Sequence, residues 1–393
     1  YKNFQTVGYQ IMQSNGSLFN TIYFDYNTVN ENKPQTIWES RLDTLVNMKP
    51  TLVINTQSNE KEILVQDVKN NIYLLNKTGR ILWKQTIKEQ INSEIFQVDY
   101  YRNGKKQFAF STRDYIYIID RIGNFVEHYP VQLKTASSAG LAVFDYEKNR
   151  NYRMAIPCID KNIYMYDIEG KVLKDWNFKK AEEPITNTLT HFKIGTNDYL
   201  VCSDKFNIYI LNRKGEQKVT PKEKFEVAQF STITLDADAD YAKNFIVTDK
   251  KGHVKLIDFR GMVKTIDLGN YSQNHFFNTY DIDNDGKNEI IITDEDGIYV
   301  YDQTGEKMFK FECDEDITTA PQFFEFSNTD VKIGILSKQE QRIYLLNKDG
   351  KLYDGFPLQG NTMFSIGNFN QQNKNFNLIV GGYENCIYNY EIK

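Results

Sequence analysis

The 393-residue chain is poor in the side chains that build most catalytic and cofactor sites. It has only four cysteines and four histidines, and no Cys-x-x-Cys pair occurs, so neither a zinc site nor a disulfide framework is indicated. The histidines fall in different segments with no nucleophile motif beside them. We therefore expect the cysteines to be buried or loop thiols and the histidines to be structural. These residues are Cys158, Cys202, Cys313 and Cys386, and His128, His191, His253 and His275.

The chain also lacks an excess of charge of one sign and a long apolar run. With 47 basic against 52 acidic residues it has no overall positive field, and no lysine or arginine cluster stands out, so nucleic-acid binding is disfavoured. No run approaches the roughly 18 apolar residues of a membrane helix, so we expect no membrane insertion by this segment. Any signal peptide or anchor would lie upstream of Tyr1. A glycine-rich phosphate loop is missing as well.

What the sequence does contain is one short string that returns eight times. A typical copy is Asn71-Ile-Tyr-Leu-Leu-Asn, and the second residue of each core is separated from the next by 44, 47, 45, 46, 44, 45 and 44 positions. A steady period near 45 in a strand-forming sequence indicates a propeller or a solenoid. The copies begin at Asn71, Tyr115, Asn162, Asn207, His253, Gly297, Arg342 and Cys386.

Each copy has apolar groups on both faces of a predicted strand, so the strand must be covered from both sides. Neighbouring blades of a propeller do this, since sheets pack face to face about 10 Å apart. Most cores are followed by Asn or Asp, two variable residues and Gly, as in Asn76-Lys-Thr-Gly79. This pattern is typical of the turn of a β-hairpin. Seven cores carry a tyrosine at one repeat position, and we expect these tyrosines to be mostly buried, each hydroxyl with a partner. They are Tyr73, Tyr117, Tyr164, Tyr209, Tyr299, Tyr344 and Tyr388.

The repeats predict an all-β fold, an eight-bladed β-propeller of four-stranded antiparallel blades spanning residues 36–393. The last unit ends at Lys393 without a fourth strand, whereas Ile37-Trp38-Glu-Ser-Arg-Leu42 resembles the fourth strand of the first unit. We therefore predict that residues 36–43 complete the eighth blade, which removes open sheet edges. An open solenoid is the alternative, but it would have no use for a displaced strand.

Residues 1–33 do not fit the period. Residues 6–12 and 18–26 flank Asn15-Gly16, a strong signal for a β-hairpin. Since the chain opens on Tyr1, we expect this hairpin to be the end of a preceding domain or an extra layer on the ring. Residues 27–35, polar and containing Pro34, would be the linker.

The sharpest chemical motif lies between the first two strands of the sixth unit. Asp281, Asp283 and Asp285 stand at alternate positions before Gly286, and three such carboxylates suit Ca²⁺ when a glycine lets the backbone fold round the ion. We expect Lys287 to contribute its carbonyl oxygen and Glu289 a closing carboxylate. An EF-hand is excluded because Ile292 takes the twelfth position and the flanks are strands. The alternative is a solvated acidic turn.

The same place in other units carries weaker versions of this motif. Asp236, Asp238 and Asp240 keep three carboxylates but lack the turn glycine, so calcium is a less favoured prediction there. The loop that begins at Asp99 keeps the turn glycine but loses most of the charge, while the loop at Asp145 keeps two carboxylates without a glycine, and we predict that both are hairpins only.

The Asp281–Glu289 loop, running into Ile290-Ile-Ile, resembles the calcium loop of FG-GAP (integrin-α-like) propeller repeats, with Glu289 where that family has Asp. The third strand and its turn resemble quinoprotein-like repeats instead, although only Trp83 and Trp176 follow a turn glycine as that pattern asks. The chain is also similar to uncharacterised Bacteroidetes envelope proteins with a C-terminal propeller. These resemblances imply a periplasmic, cell-envelope or extracellular location.

Three hypotheses of function follow. The first is a non-catalytic propeller that acts as a protein-interaction or scaffolding module of a bacterial cell envelope, with one structural calcium ion and a protein or envelope partner. The second is a glycan-binding or polysaccharide-lyase propeller, which exposed aromatic residues over a central acidic pocket would favour. The third is a cofactor-bearing quinoprotein relative, which a tryptophan floor beside calcium would favour. The absence of a catalytic motif favours the first, and with it a protein that is not an enzyme.

Overall fold

A computed structural model gives the architecture of residues 4–14, 17–26, 34–236, 244–313, 316–369 and 375–393. Within these ranges the regular structure consists of 34 strands, β1 to β34, and no helix is present that could span a membrane. Strands β4 to β34 and β3 form eight small antiparallel sheets arranged as the predicted eight-bladed β-propeller. The fold class predicted from the repeats is confirmed.

In blades 1 to 7 the main strands are consecutive in the chain and run in order from the channel outwards, whereas blade 8 takes its outer strand from the N-terminal part of the chain. For the first unit the repeat pattern predicts strands at residues 51–55, 62–66, 72–75 and 81–87, and the observed strands agree with these within one residue. Blades 1 to 4 are β4–β7 (Thr51–Ile54, Lys61–Gln66, Asn71–Leu75, Ile81–Thr86), β8–β11 (Phe96–Val98, Gln107–Ser111, Tyr115–Ile119, Val131–Gln132), β12–β14 (Ala142–Phe144, Arg153–Pro157, Ile163–Asp167) and β15–β18 (Thr190–Ile194, Asn197–Ser203, Ile208–Leu211, Gln217–Val219).

The second half of the ring repeats this pattern. Blades 5 to 8 are β20–β23 (Thr234–Leu235, Asn244–Thr248, Val254–Asp258, Val263–Ile266), β24–β27 (Phe276–Tyr280, Glu289–Asp294, Gly297–Tyr301, Lys307–Glu312), β28–β31 (Gln322–Ser327, Asp330–Ser337, Arg342–Asn347, Leu358–Gln359) and β32–β34 (Ser365–Gly367, Phe376–Gly381, Cys386–Ile392) with β3 (Gln35–Arg41).

Strand β3 closes the ring, as the sequence predicts. It pairs antiparallel with β34, placing Ser40 opposite Ile387 and Trp38 opposite Asn389. The last blade thus joins the two ends of the described ring, and the outer edge of β34 is covered.

Two blades depart from the four-stranded pattern. In blade 3 the fourth strand is reduced to one bridge, between Tyr166 and Val172, and the indole nitrogen of Trp176 donates to the carbonyl of Ile163 on the third strand (2.8 Å). In blade 6 an added strand, β19 (Phe230–Ser231), pairs parallel with β24 on its channel side. The connection from blade 4 to blade 5 therefore reaches across to blade 6.

The apolar core lies between the blades. One cluster joins blade 1 to blade 2 through residues such as Leu74 and Phe110, and clusters of the same kind occupy the other described interfaces. The tyrosine prediction was only partly right. Tyr73 and Tyr117 are fully buried, whereas the other five are half buried.

Tryptophan side chains link some blades to the next along the outer rim. The ring of Trp83, in blade 1, lies over the turn at Gly123 of blade 2, and its indole nitrogen donates to the carbonyl of Arg121 (2.6 Å). Trp38 of blade 8 covers Gly79 of blade 1 in the same way. A β-carbon on Gly79 would lie 2.7 Å from that ring, so glycine is required there for packing as well as for its φ of +83°.

The alternation of strand direction divides the loops between two faces. Loops that join first to second and third to fourth strands lie on one face, which we call the lower face. Loops that join second to third strands, and the connections between blades, lie on the upper face. The remaining strands, β1 (Phe4–Ser14) and β2 (Ser17–Tyr26), pair only with each other, and the predicted turn at Asn15-Gly16 and most of the predicted linker lie outside the described residues.

Candidate metal centre

The loop between β24 and β25, on the lower face of blade 6, has the geometry of a cation site. Ile282 is fully buried in the core between blades 6 and 7 and anchors the loop. Asn284 (φ +64°) and Gly286 (φ +86°) adopt left-handed backbone conformations, which curl the chain round the carboxylate of Asp281. Asparagine and glycine adopt this conformation at least cost, so the local sequence explains the turn.

The three aspartates converge. Asp281 accepts hydrogen bonds from the backbone N–H groups of Asp285 (3.1 Å) and Gly286 (3.0 Å), while Asp283 accepts from Asp285 (3.0 Å). One oxygen of each of Asp281, Asp283 and Asp285 lies within 4.8 Å of the others. Since Ca²⁺ binds oxygen ligands at roughly 2.3–2.6 Å, one ion between these atoms would reach all three. The donor set therefore fits calcium.

The other two residues predicted as ligands are Glu289 and Lys287, and the role of the Lys287 carbonyl stays a prediction. Glu289 is buried and is not part of the group of three, because its oxygens accept from the backbone N–H of Ile282 (2.8 Å) and the side chain of Gln303 (3.1 Å). The ammonium of Lys287 lies 3.5 Å from Asp285 and is largely exposed. The Lys287 ammonium therefore neutralises little of the negative charge of the three aspartates. Glu289 holds the loop in place through its hydrogen bond with the N–H of Ile282.

Burial and the negative charge of the three aspartates both affect the pKa of Glu289. Burial, together with repulsion from Asp283, Asp281 and Asp285, raises the pKa of Glu289 to about 7. Removal from water disfavours the charged form of a carboxyl group, and nearby like charges raise its pKa further. Burial is the main cause of this shift, and the aspartate cluster adds to it.

Two other blades repeat the same backbone turn without the acidic cluster. In each, the first aspartate accepts from the N–H groups four and five residues on: Asp99 from Asn103 and Gly104, and Asp145 from Asn149 and Arg150 (2.9–3.0 Å). Residues three and five positions on again have positive φ. Blades 2, 3 and 6 therefore share one loop scaffold.

In both of these loops, in blades 2 and 3, an arginine forms an ion pair with one of the acidic side chains. Arg150 lies 3.1 Å from Asp99, and Arg213, from blade 4, forms an ion pair with Glu147, two positions after Asp145. Of these three loops, only the one at Asp281 carries aspartate at both the second and the third acidic position. The other acidic loop, at Asp236, falls largely outside the described residues, which include neither Asp238 nor Asp240.

Three histidines make specific structural contacts. His191 lies 2.7 Å from Asp198, and His253 lies 3.0 Å from Asp249. His275 is buried, with Nδ1 2.7 Å from the carbonyl of Ser272. Each contact fixes a loop or hairpin of its own blade or of the neighbouring one.

A regular feature of the upper face escaped the sequence analysis. In most described blades an acidic residue of the second-to-third-strand loop accepts a hydrogen bond from the repeat tyrosine, as Asp67 does from Tyr73 (3.0 Å). The spacing between acid and tyrosine varies from three to six residues, which hides the pattern in the sequence. The other pairs are Asp160 with Tyr164, Asp204 with Tyr209, Asp296 with Tyr299 and Glu340 with Tyr344.

Comparison with known proteins shows the fold alone. No protein-family model matches the chain, and no curated protein matches it. Among solved structures, BamB from Moraxella catarrhalis is similar with a TM-score of 0.56 at 13% identity, covering 91% of this chain and 100% of that one. The quinohemoprotein alcohol dehydrogenase from Comamonas testosteroni gives 0.59 at 11% identity, covering 92% and 77%. BBS1N, solved in complex with ARL6DN, gives 0.51 at 10% identity, covering 91% and 96%.

Proposed function

We propose that the protein is a non-catalytic propeller that acts as a protein-interaction or scaffolding module of a bacterial cell envelope, with one structural calcium ion. One observation carries the interaction role. Three exposed apolar side chains, Ile54, Tyr101 and Ile122, line a single cavity between blades 1 and 2 on the lower face. Clustered apolar exposure of this kind is typical of a surface that another molecule covers.

Two further points support this assignment. BBS1N, which has a similar fold, was solved in complex with another protein, so the fold is compatible with this use. The resemblance to Bacteroidetes envelope proteins supports the compartment. Neither point identifies the partner, which has to be found on the protein itself.

The calcium ion would have a structural role. Bound by Asp281, Asp283 and Asp285, it would neutralise the loop and hold it against the buried Ile282. Lys287 would offer its carbonyl oxygen, and Glu289 would keep the loop in place through its bond to the N–H of Ile282. The ion adds stability by mass action and needs no catalytic group.

The interaction role is tested by cross-linking in intact cells. Wild-type protein is compared with an Ile122→Thr variant, and cross-linked proteins are identified by mass spectrometry. We expect at least one envelope protein to be linked to the wild type and lost with the variant, while a Met262→Thr control, at an exposed turn of blade 5, retains it. Identical profiles for all three proteins would contradict an interaction role for this surface.

Glycan binding is the second candidate, and one observation favours it. Phe230, on β19 at the channel side of blade 6, is 42% exposed and stacks on Phe276 with ring centres 4.9 Å apart. Sugar rings stack on exposed aromatic faces of this kind. A glycan array probed with wild-type protein and a Phe230→Ala variant tests it, and signals that are equal or absent for both exclude this site.

A further inference from the structure

The cavity between blades 1 and 2 differs from the surface of the other blades at two positions. The third residue of the turn between third and fourth strands is apolar only in blade 2, where Ile122 is 68% exposed. The same position in the six other Asn/Asp-x-x-Gly turns carries a polar or charged residue. Those residues are Thr78, Glu169, Lys214, Arg260, Thr304 and Asp349.

The second position lies on the shared loop scaffold. Tyr101 stands two residues after Asp99, where blade 3 has Glu147 and blade 6 has Asp283. Tyr101 is 51% exposed and lines the same cavity as Ile122 and Ile54. A loop that in blade 6 presents carboxylates thus presents an aromatic ring in blade 2.

The walls of the cavity are held rigidly. The side chain of Gln97, in blade 2, bonds both the N–H (2.9 Å) and the carbonyl (2.8 Å) of Ile54, in blade 1. Arg121 forms an ion pair with Glu62, which also joins the two blades. The cavity is therefore preformed, and a ligand would lose little free energy in ordering it.

The charged residues beside the cavity include two unpaired lysines and one carboxylate, Asp120, which accepts hydrogen bonds from the backbone N–H groups of Ile122 and Asn124 (2.9 Å each). Lys105 and Lys106 line the cavity, both are exposed, and in the described part of the chain no carboxylate lies within 4 Å of either ammonium group. The corresponding cavity between blades 3 and 4 is different, because Arg213 there is paired with both Glu147 and Asp198. Of these two cavities, only the one between blades 1 and 2 combines an apolar lining with lysines that form no ion pair.

We propose that this groove, lined by Ile54, Tyr101, Ile122, Lys105 and Lys106, binds a segment of a partner protein that carries a large apolar side chain flanked by carboxylates. This proposal rests on the interaction role proposed above. The cavity holds about 290 Å³, which is at the lower end of the roughly 300–1,000 Å³ of small-molecule sites and fits one anchoring side chain. The carboxylates of the segment pair with the two lysines at the rim.

Synthetic peptides test the chemistry directly. The probes are three fluorescein-labelled hexapeptides: Asp-Glu-Leu-Phe-Asp-Glu, its basic counterpart Lys-Arg-Leu-Phe-Lys-Arg, and an acidic peptide without apolar residues, Asp-Glu-Ser-Asn-Asp-Glu. Binding is measured by fluorescence anisotropy with the whole chain. We expect only the first peptide to bind measurably, and we expect added salt to weaken it.

Two variants separate the contributions of the groove. Ile122→Thr introduces the residue that blades 1 and 6 carry at this turn position, so folding is preserved, and affinity should fall about tenfold, or 1.4 kcal/mol. Lys105→Glu with Lys106→Glu should abolish binding of the acidic peptide. The matched control, Lys348→Glu with Lys351→Glu on the same face of blade 7, changes the net charge equally and should leave affinity within about twofold.

Three outcomes would overturn the proposal: equal binding of the acidic and basic peptides, equal losses in the groove and control variants, or no binding at millimolar concentration. The cross-linking experiment distinguishes this failure from a failure of the interaction role. If Ile122→Thr still loses a cross-linked protein, the surface binds a partner of other chemistry. If it loses none, both proposals fail.

Discussion

The indole nitrogen of Trp38 lies 3.0 Å from the carbonyl oxygen of Lys77, and this hydrogen bond joins the last blade of the ring to the first. Ser40, on the same strand, also bonds the turn, through the carbonyl of Gly79 (2.5 Å). Closure therefore depends on contacts between side chains and a turn as well as on pairing of β3 with β34.

We predict that Trp38→Ala destabilises the ring. Trp38 is half buried, so the loss should be about 2 kcal/mol, below the roughly 3–5 kcal/mol of a fully buried tryptophan. Urea unfolding measures this loss of stability. Limited proteolysis should cleave β3 sooner in the variant than in the wild type. The control is Ile37→Ala, on the same strand with a 48% exposed side chain, which should change little. Equal effects of the two substitutions would mean that the indole contact contributes nothing to closure.

We predict that the repeat tyrosines contribute unequally. Tyr73→Ala should cost roughly 3–5 kcal/mol because the ring is fully buried, while Tyr299→Ala should cost less because its ring is half buried. Tyr73→Phe should cost about 1 kcal/mol, since it leaves Asp67 without one hydrogen bond. Denaturant unfolding of the three variants gives these differences. Losses below about 1 kcal/mol for Tyr73→Ala would refute the packing argument.

We predict one calcium ion at the Asp281 loop. Calorimetric titration of chelator-treated protein should give one site, and an Asp283→Ala, Asp285→Ala double variant should lose it. At a hundredfold excess over Kd the ion should add about 2.7 kcal/mol to the free energy of unfolding. The matched control is Glu147→Ala with Asn149→Ala, at the same two loop positions of blade 3, which should bind calcium normally. If wild type and double variant take up calcium equally, or neither does at millimolar concentration, the loop is only an acidic turn.

We predict that His275 makes the protein less stable in mild acid. Burial lowers the pKa of His275, although Asp294 and Asp249 act in the opposite direction. Since its pKa in the folded state is below that of the unfolded chain, near 6.5, its contribution is complete above pH 6.5 and is lost as the pH falls through the folded pKa. The thermal midpoint of His275→Gln, which does not titrate, should therefore fall less between pH 7.5 and 5.5 than that of wild type.

The control for this pH series is His128→Asn, because His128 is exposed and asparagine accepts its positive φ of +71°. That variant should keep the wild-type dependence. If His275→Gln follows the wild-type slope, the buried imidazole is not responsible for the acid sensitivity.

The architecture of the ring could be predicted from the sequence, for a physical reason. A strand covered on both faces needs mostly apolar residues, and the turn after it needs Asn or Asp and a glycine. Each blade therefore has a local strand signal like that at Ile72, and the first seven blades also have the turn signal that ends at Gly79 in blade 1. Eight such signals and one displaced strand were sufficient to predict eight blades and closure by Trp38.

The candidate sites could be predicted only in part. Asp281, Asp283 and Asp285 are neighbours in sequence, so their convergence follows from local chain geometry. That Glu289 supports the loop from behind, and that Arg150 and Arg213 occupy the equivalent loops, depends on which side chains adjacent strands and blades bring together.

The groove between blades 1 and 2 was decided by tertiary structure alone. Ile54, Tyr101 and Ile122 are up to 68 positions apart, and each is unremarkable in its own strand or loop. Only the packing of one blade on the next places them round one cavity beside Lys105 and Lys106. The sequence by itself thus determined the repeat, the ring and the local acidic loop, because these arise from neighbouring residues. The surface between blades depends on distant residues, and only the closed ring brings them together.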